Sequence, residues 1–286
     1  MIPDAEVRRI ARRLDMEPRL IDLDYTLGWA LRALGEEPDL RACLLFKGGT
    51  CLRKCWIPGY RFSEDLDFTA RHWIGWEALE ATVRSAFRRA TELTGIDFYA
   101  REPRFEAVDE EYGRESLRAH VYFIGAHPRG TPRAIRLDIT RHETIAFEPV
   151  LRTVRHEYSD RDVMEDRDWP CYALEEMLAE KLRAVLGQRR YAISRDLYDL
   201  HTLSGMDLDL AAVREVLPAK FSARGLEARN ITVDPMLDRR DDFKTDWGRS
   251  LIPLVPEAER LEFEAVWSDT VAFVRSFTPA ESPPSE

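Results

Sequence analysis

Apolar residues recur at two spacings along this chain, and the change from one spacing to the other predicts its elements. Residues 4–14 read as a short polar helix. Residues 18–35 follow a helical period, with Leu20, Leu23, Leu27, Ala30, Leu31 and Leu34 on one side. The apolar run Ala42–Phe46 reads as a buried strand entering a Gly-Gly turn. Residues 61–70 alternate: Phe62, Leu66 and Phe68 fall on one face, and Ser63, Asp65, Asp67 and Thr69 on the other. A helix is predicted over 75–94, then strands at 96–101, 118–124 and 133–140. The last again alternates, Ile135, Leu137 and Ile139 opposing Arg136, Asp138 and Thr140. From about 150 the pattern becomes helical. Helices are predicted over 172–187, closed by Gly187, and 194–205, with Ser194 as N-cap and Asp196 in the first turn. Two more follow at 208–218 and 256–276. The expectation is an α/β (α+β) fold with a strand-rich lobe over 1–155, a helical lobe over 156–277 and a disordered tail over 278–286.

Composition narrows the class. With 286 residues and 44% hydrophobic positions the chain can bury a core without disulfide support. Neither a membrane-spanning apolar run nor a signal-like N-terminus is present, which points to a cytoplasmic protein with no membrane partner. Cys43, Cys51, Cys55 and Cys171 form no C-x-x-C pair. Cys51 and Cys55 can sit one turn apart on a helix, but no zinc-like spacing follows, so the four read as reduced thiols. The net charge of −10 argues against non-specific duplex DNA binding, while leaving room for a local basic groove. Of 42 basic residues only five are lysines: Lys47, Lys54, Lys181, Lys220 and Lys244. Codon bias toward arginine accounts for most of this imbalance, and it makes each lysine's position informative.

The chemistry-bearing feature is a turn, Gly48-Gly49-Thr50, followed by Ser63, Asp65 and Asp67 on an alternating strand. Carboxylates at i and i+2 on a strand point the same way and repel unless a cation joins them. Mg2+ takes one or two carboxylates together with substrate phosphates. A Gly-Gly turn lets phosphate approach the backbone. If the strand of Asp138 lies beside that of Asp65 and Asp67, the three acids form one site suited to two-metal phosphoryl transfer. Lys181 interrupts the apolar helix stripe Leu174, Leu178, Val185 and must meet an anion or edge into solvent. It is read as neutralising a triphosphate, against pairing with Glu176 or Glu180. Asp196 and Asp199 share a helix face and can orient Lys181, hold Arg195 or contact a nucleotide. Tyr60, Trp73 and Trp76 read as packing, and Arg8, Arg9, Arg12 and Arg13 as a solvated helix face.

FKGGT (46–50), RFSEDLDF (61–68), RLDIT (136–140), LEEMLAEKLRAV (174–185) and SRDLYDL (194–200) together resemble the AbiEii/AbiGii toxin family, a type IV toxin family of the nucleotidyltransferase superfamily. The resemblance runs in order over roughly 20–205. It implies a polymerase-β-like nucleotidyltransferase lobe with a mixed sheet, plus a C-terminal helical lobe. It further implies Mg2+- or Mn2+-dependent transfer of nucleotides from an NTP to the tRNA 3′ acceptor end, blocking aminoacylation and translation, and a cognate antitoxin protein. By motif position Asp65, Asp67 and Asp138 would be metal ligands, and Gly48, Gly49, Thr50 and Ser63 the phosphate-binding turn. Lys181, Asp196 and Asp199 would be catalytic or nucleotide-contacting. Thr50 stands where the superfamily usually has serine. Two rival readings are the same chemistry on a small-molecule or protein hydroxyl, and a non-catalytic nucleotide-binding module.

Overall fold

Seven strands make one mixed sheet in the computed structural model of the chain, which describes residues 1–109, 115–127, 131–164, 168–227 and 231–278. They are β1 (Leu44–Lys47), β2 (Asp65–Ala70), β3 (Asp97–Asp109), β4 (Glu115–Ile124), β5 (Arg133–Thr140), β6 (Val150–Thr153) and β7 (Asp168–Cys171). Their order across the sheet is β3-β4-β5-β2-β1-β7-β6. The mixed α/β class expected from the sequence is therefore present. The tail from 279 onward lies outside the described residues.

The period-2 segments become strands because alternate residues are wholly apolar. Leu66 and Phe68 of β2, Leu117, Ala119, Val121 and Phe123 of β4, and Ile135, Leu137 and Ile139 of β5 are all buried. The helix Trp76–Thr94 covers β3, its Phe87 ring 5.1 Å from Phe98. Two local expectations shift. The apolar run at 42–46 starts as a short helix, Pro38–Cys43, so β1 begins at Leu44. Thr69, expected on the polar face, is fully buried with its hydroxyl 2.6 Å from that of Tyr172.

The helix Pro18–Gly35 departs most from its pattern. A one-sided leucine face was expected, yet Asp22 and Asp24 on the remaining surface are buried too. Each is matched by cations from distant segments. Asp24 accepts from Arg53 Nε at 2.8 Å, Lys54 Nζ at 3.1 Å and the Tyr158 hydroxyl at 2.8 Å. Asp22 pairs with Arg133 and accepts from the His127 amide. Burial pushes the Asp24 carboxyl up, but Arg53 and Lys54 more than offset it and hold the group well below the usual carboxylate range.

The chain divides into two compact units. The first comprises Met1–Glu143, Glu148–Tyr172 and Leu254–Glu259, and carries the whole sheet. Residues 156–172, grouped with the helices on the sequence pattern, thus lie with the sheet. Residues 254–259 return to it as well: the Phe62 amide donates to Leu254 O at 2.7 Å. The helix expected over 256–276 begins only at Phe263.

The second unit comprises Thr144–Phe147, Ala173–Pro253 and Arg260–Glu286. Its helices include Leu174–Arg183, Ser194–Ser204, Leu210–Ser222, Arg240–Asp246 and Phe263–Arg275. The first runs on through a π turn to Gln188, with Gly187 at φ +144° rather than as a terminal cap. Ser194 is the first helical residue and not the cap. Its amide donates to Asp246 Oδ2 at 2.8 Å and its hydroxyl to Phe243 O at 2.8 Å, so a distant element satisfies this helix start. Among the described residues, no helix is long and apolar enough to cross a membrane.

The Asp24 cluster generates a stability prediction. Asp24→Asn leaves Lys54 buried without its counter-charge and should cost about 3–5 kcal/mol, read as a lowered urea midpoint. Because the folded carboxyl is depressed, the contribution is fully present above the ordinary value of 3.8 and is lost as pH falls below it. The gap between wild type and variant should therefore narrow in acid.

Candidate active site

The two glycines of the turn are required by what surrounds them. Gly48 opens the four-residue helix Gly48–Cys51 at φ +75°, and a β-carbon there would overlap the Asp67 carboxylate. A β-carbon on Gly49 would lie 2.7 Å from the Arg61 guanidinium and 3.0 Å from Ser63 Oγ. The turn thus presents bare backbone to one carboxylate, one buried guanidinium and one buried hydroxyl. Thr50 is buried, and its hydroxyl donates to Asp65 O at 2.5 Å, pinning the turn to the start of β2.

Pairing across the sheet brings the strand carboxylates together. β2 lies parallel beside β5, with Asp65 opposite Arg136 and Asp67 opposite Asp138. Paired residues share a sheet face, so two rows can be followed from strand to strand. One runs Lys47, Asp67, Asp138, Arg118, Glu106 and the other Asp65, Arg136, His120, Arg104. A shorter third row pairs Tyr122 with Arg101, whose guanidinium lies over the Tyr122 ring.

Cations within the chain offset the crowded negative charge on this face. Arg136 pairs with Asp65 and reaches Asp138 Oδ2 from its Nε at 2.9 Å. Arg118 Nε donates to Asp138 Oδ1 at 2.7 Å. Burial disfavours the Arg136 charge, but Asp65, Asp138 and Asp67 hold its proton more tightly than usual. Lys47 lies 5.3 Å from the Tyr172 ring centroid. Arg61, Arg118 and Arg136 carried no assigned role in the sequence reading. The alternation did place Arg136 beside Asp138, but only strand pairing sets it against Asp65.

The second unit holds the other predicted residues. Lys181 Nζ donates to Asp196 Oδ1 at 2.5 Å and lies 2.7 Å from Asp199 Oδ2, so it meets both acids of that helix face. Both aspartates are buried while Lys181 keeps 15% of its side chain exposed. Arg189, rather than Arg195, adds a second cation to Asp196, at 2.7 Å. Burial raises the Asp196 carboxyl, but Arg189 and Lys181 outweigh it and hold the group below its ordinary value. Glu176 is used differently: it pairs with fully buried Lys220 and accepts the amides of Ala146 and Phe147 at 2.8 and 2.9 Å.

Of the aromatic residues, Trp73 and Trp76 pack edge to face at 5.2 Å and Tyr60 is buried, as packing residues. Arg8, Arg9, Arg12 and Arg13 are exposed on their helix, Arg8 pairing with Asp4.

Comparison with known proteins gives a family and a fold. Residues 29–269 match the family model described as nucleotidyl transferase AbiEii toxin, type IV TA system. The fold is similar to that of MenT4, the nucleotidyltransferase toxin Rv2826c from Mycobacterium tuberculosis H37Rv, with a TM-score of 0.66 and 23% identity over 99% of this chain and 91% of that one. No curated protein matches.

The turn geometry predicts unequal costs for two glycine substitutions. Gly48→Ala and Gly59→Ala both place a side chain at positive φ, but the space around Gly59 is open. Each should lose about 1–2 kcal/mol for backbone strain, and urea unfolding should show a further loss for Gly48→Ala alone, from displacing Asp67.

Proposed function

The chain belongs to the AbiEii family of nucleotidyltransferase toxins from type IV toxin–antitoxin systems, and from that premise we propose that it adds nucleotides from an NTP to the 3′ end of tRNA, using Mg2+ or Mn2+. The observation that carries this reading is the contact between the turn and the acids: Gly48 leaves room only for Asp67, which shares its face of β2 with Asp65.

The residues present suit a divalent cation. Asp65 and Asp67 are hard oxygen donors of like charge on one face, and Arg136 already supplies positive charge to Asp65. Asp65 and Asp67 would hold the ion, and Asp138 would join them on releasing Arg118 or Arg136. When bound, such an ion offsets triphosphate charge and makes the acceptor hydroxyl more acidic. Gly48 and Gly49 expose backbone to phosphate, with Ser63 and Arg61 beside them. Thr50 acts through its bond to Asp65 O, as a positioning residue. The acceptor oxygen bonds to the α-phosphorus as the bond to the β-phosphate breaks. Pyrophosphate leaves, and the hydroxyl proton is lost.

Lys181 is assigned to meeting substrate anion, with Asp196 and Asp199 orienting its ammonium. An RNA acceptor is favoured over a small-molecule or protein hydroxyl by the cationic and aromatic residues that continue the rows away from the carboxylates: Arg118, His120, Arg104, Tyr122 and Arg101. Guanidinium groups match phosphate, and the aromatic ring offers a stacking surface. A protein partner that silences the toxin follows from family membership.

The test is transfer of label from each radiolabelled NTP, with divalent metal, to tRNA. Wild type should label RNA, whereas Asp65→Ala and Lys181→Ala should each fall by roughly 100-fold or more with unchanged circular dichroism. Label on protein or a small molecule instead would favour the second acceptor class. Full activity in either variant would overturn the site. Chelation should abolish transfer without unfolding the chain.

A further inference from the structure

Three of the four cysteines converge in the first unit. Cys51 ends the Gly48–Cys51 helix directly after Thr50, Cys55 lies in the following π turn Leu52–Trp56, and Cys171 ends β7 opposite Phe46. Their sulfurs all lie within 4.8 Å of one another, and all three residues are buried. Cys43, also buried, is outside the cluster and its thiol donates to Leu40 O. A cysteine that merely fills core volume has no reason to gather with two others.

Two guanidiniums reach the backbone beside Cys55. Arg152 Nε donates to Cys55 O at 3.3 Å, and Arg155 donates to Trp56 O at 3.0 Å. Cations therefore flank a buried group of three thiols.

We propose that Cys51, Cys55 and Cys171 form a three-thiolate site for a thiophilic closed-shell cation of the Cu(I) or Cd2+ class. Three sulfurs bound to one ion at about 2.3 Å lie about 4 Å apart, which the cluster reaches with little movement. Among the described residues no histidine, aspartate or glutamate joins the group. Structural zinc sites are almost always four-coordinate, so a set of three soft ligands fits Cu(I) better. On binding, each sulfur bonds to the ion and its proton goes to solvent, with no change of oxidation state. Arg152 and Arg155, whose guanidiniums bond carbonyls beside Cys55, offset the remaining negative charge. The ion would join the helix that follows the glycine turn to β7, and this site is independent of the transfer chemistry proposed above.

Cd2+ alone is the probe. Added to the reduced full-length chain, it should give a thiolate-to-cadmium ultraviolet band saturating at one equivalent. Cys171→Ser should lose at least a third of that band, and Cys43→Ser should leave it unchanged. No band at one equivalent, a full band in Cys171→Ser, or loss of the band in Cys43→Ser would overturn the site. A measurement independent of variants is X-ray absorption on the Cu(I)-loaded wild type. Three sulfur neighbours support the proposal, and any other first shell rejects it.

Discussion

The pairing of Asp24 with Arg53 and Lys54 fixes where the glycine turn can lie. Both cations follow that turn by only a few residues, and Asp24 sits inside a helix buried on every side. An aspartate in such a place is tolerated only with opposite charge and hydrogen bonds supplied. The segment after the turn is thereby held to the Pro18–Gly35 helix, with Tyr158 closing the cluster. From the other side, Thr50 ties the turn to β2. The backbone between these two anchors has little freedom, and Gly48 meets Asp67 as a result.

The same physics separates two kinds of lysine in a chain that has only five. Lys54 and Lys220 are buried within ion pairs, and Lys220 also bonds Thr144 O at 2.6 Å. Their scarcity therefore marks structural positions as readily as chemical ones. Lys181 differs in being held by two buried acids while part of its side chain remains exposed. A cation fixed from behind by two carboxylates keeps its direction, as a group proposed to meet anionic substrate requires. Rarity of the residue type alone does not distinguish it; its pattern of burial does.

What the sequence made legible was local. Alternation placed Asp65 with Asp67 and Arg136 with Asp138, because a strand repeats every two residues whatever lies beside it. Helical spacing similarly set Asp196 and Asp199 on one face. Pairing between distant segments was not legible. Arg136 neutralises Asp65 only because β5 lies beside β2, and Cys171 completes the thiol cluster only because β7 pairs with β1. Asp22 and Asp24 drew no reading for the same reason, since the partners that bury them lie on distant segments. Ser194 looked like a cap because serine usually is one, whereas here Asp246 supplies the acceptor from another element.

For an acidic chain, the RNA acceptor proposed above poses an electrostatic problem that the sheet face addresses. The net charge of −10 belongs to the whole molecule, but screening at physiological salt limits direct interaction to about 8 Å. A phosphate approaching the carboxylates therefore senses what shares their rows, and not the distant surface. Those rows hold Lys47, Arg118 and Arg136 beside Asp65, Asp67 and Asp138. Arg136 and Arg118 are tied to acids, so their charge is partly spent on holding the carboxylates in place. Arg101 and Arg104, farther along the same face on β3, are exposed. The strand carboxylates thus lie at one end of this surface, while exposed Arg101 and Arg104 lie at the other beside Glu106. On the proposed reading, Arg101 and Arg104 meet the RNA backbone at one end of the face while the acids at the other are kept for a metal and its triphosphate.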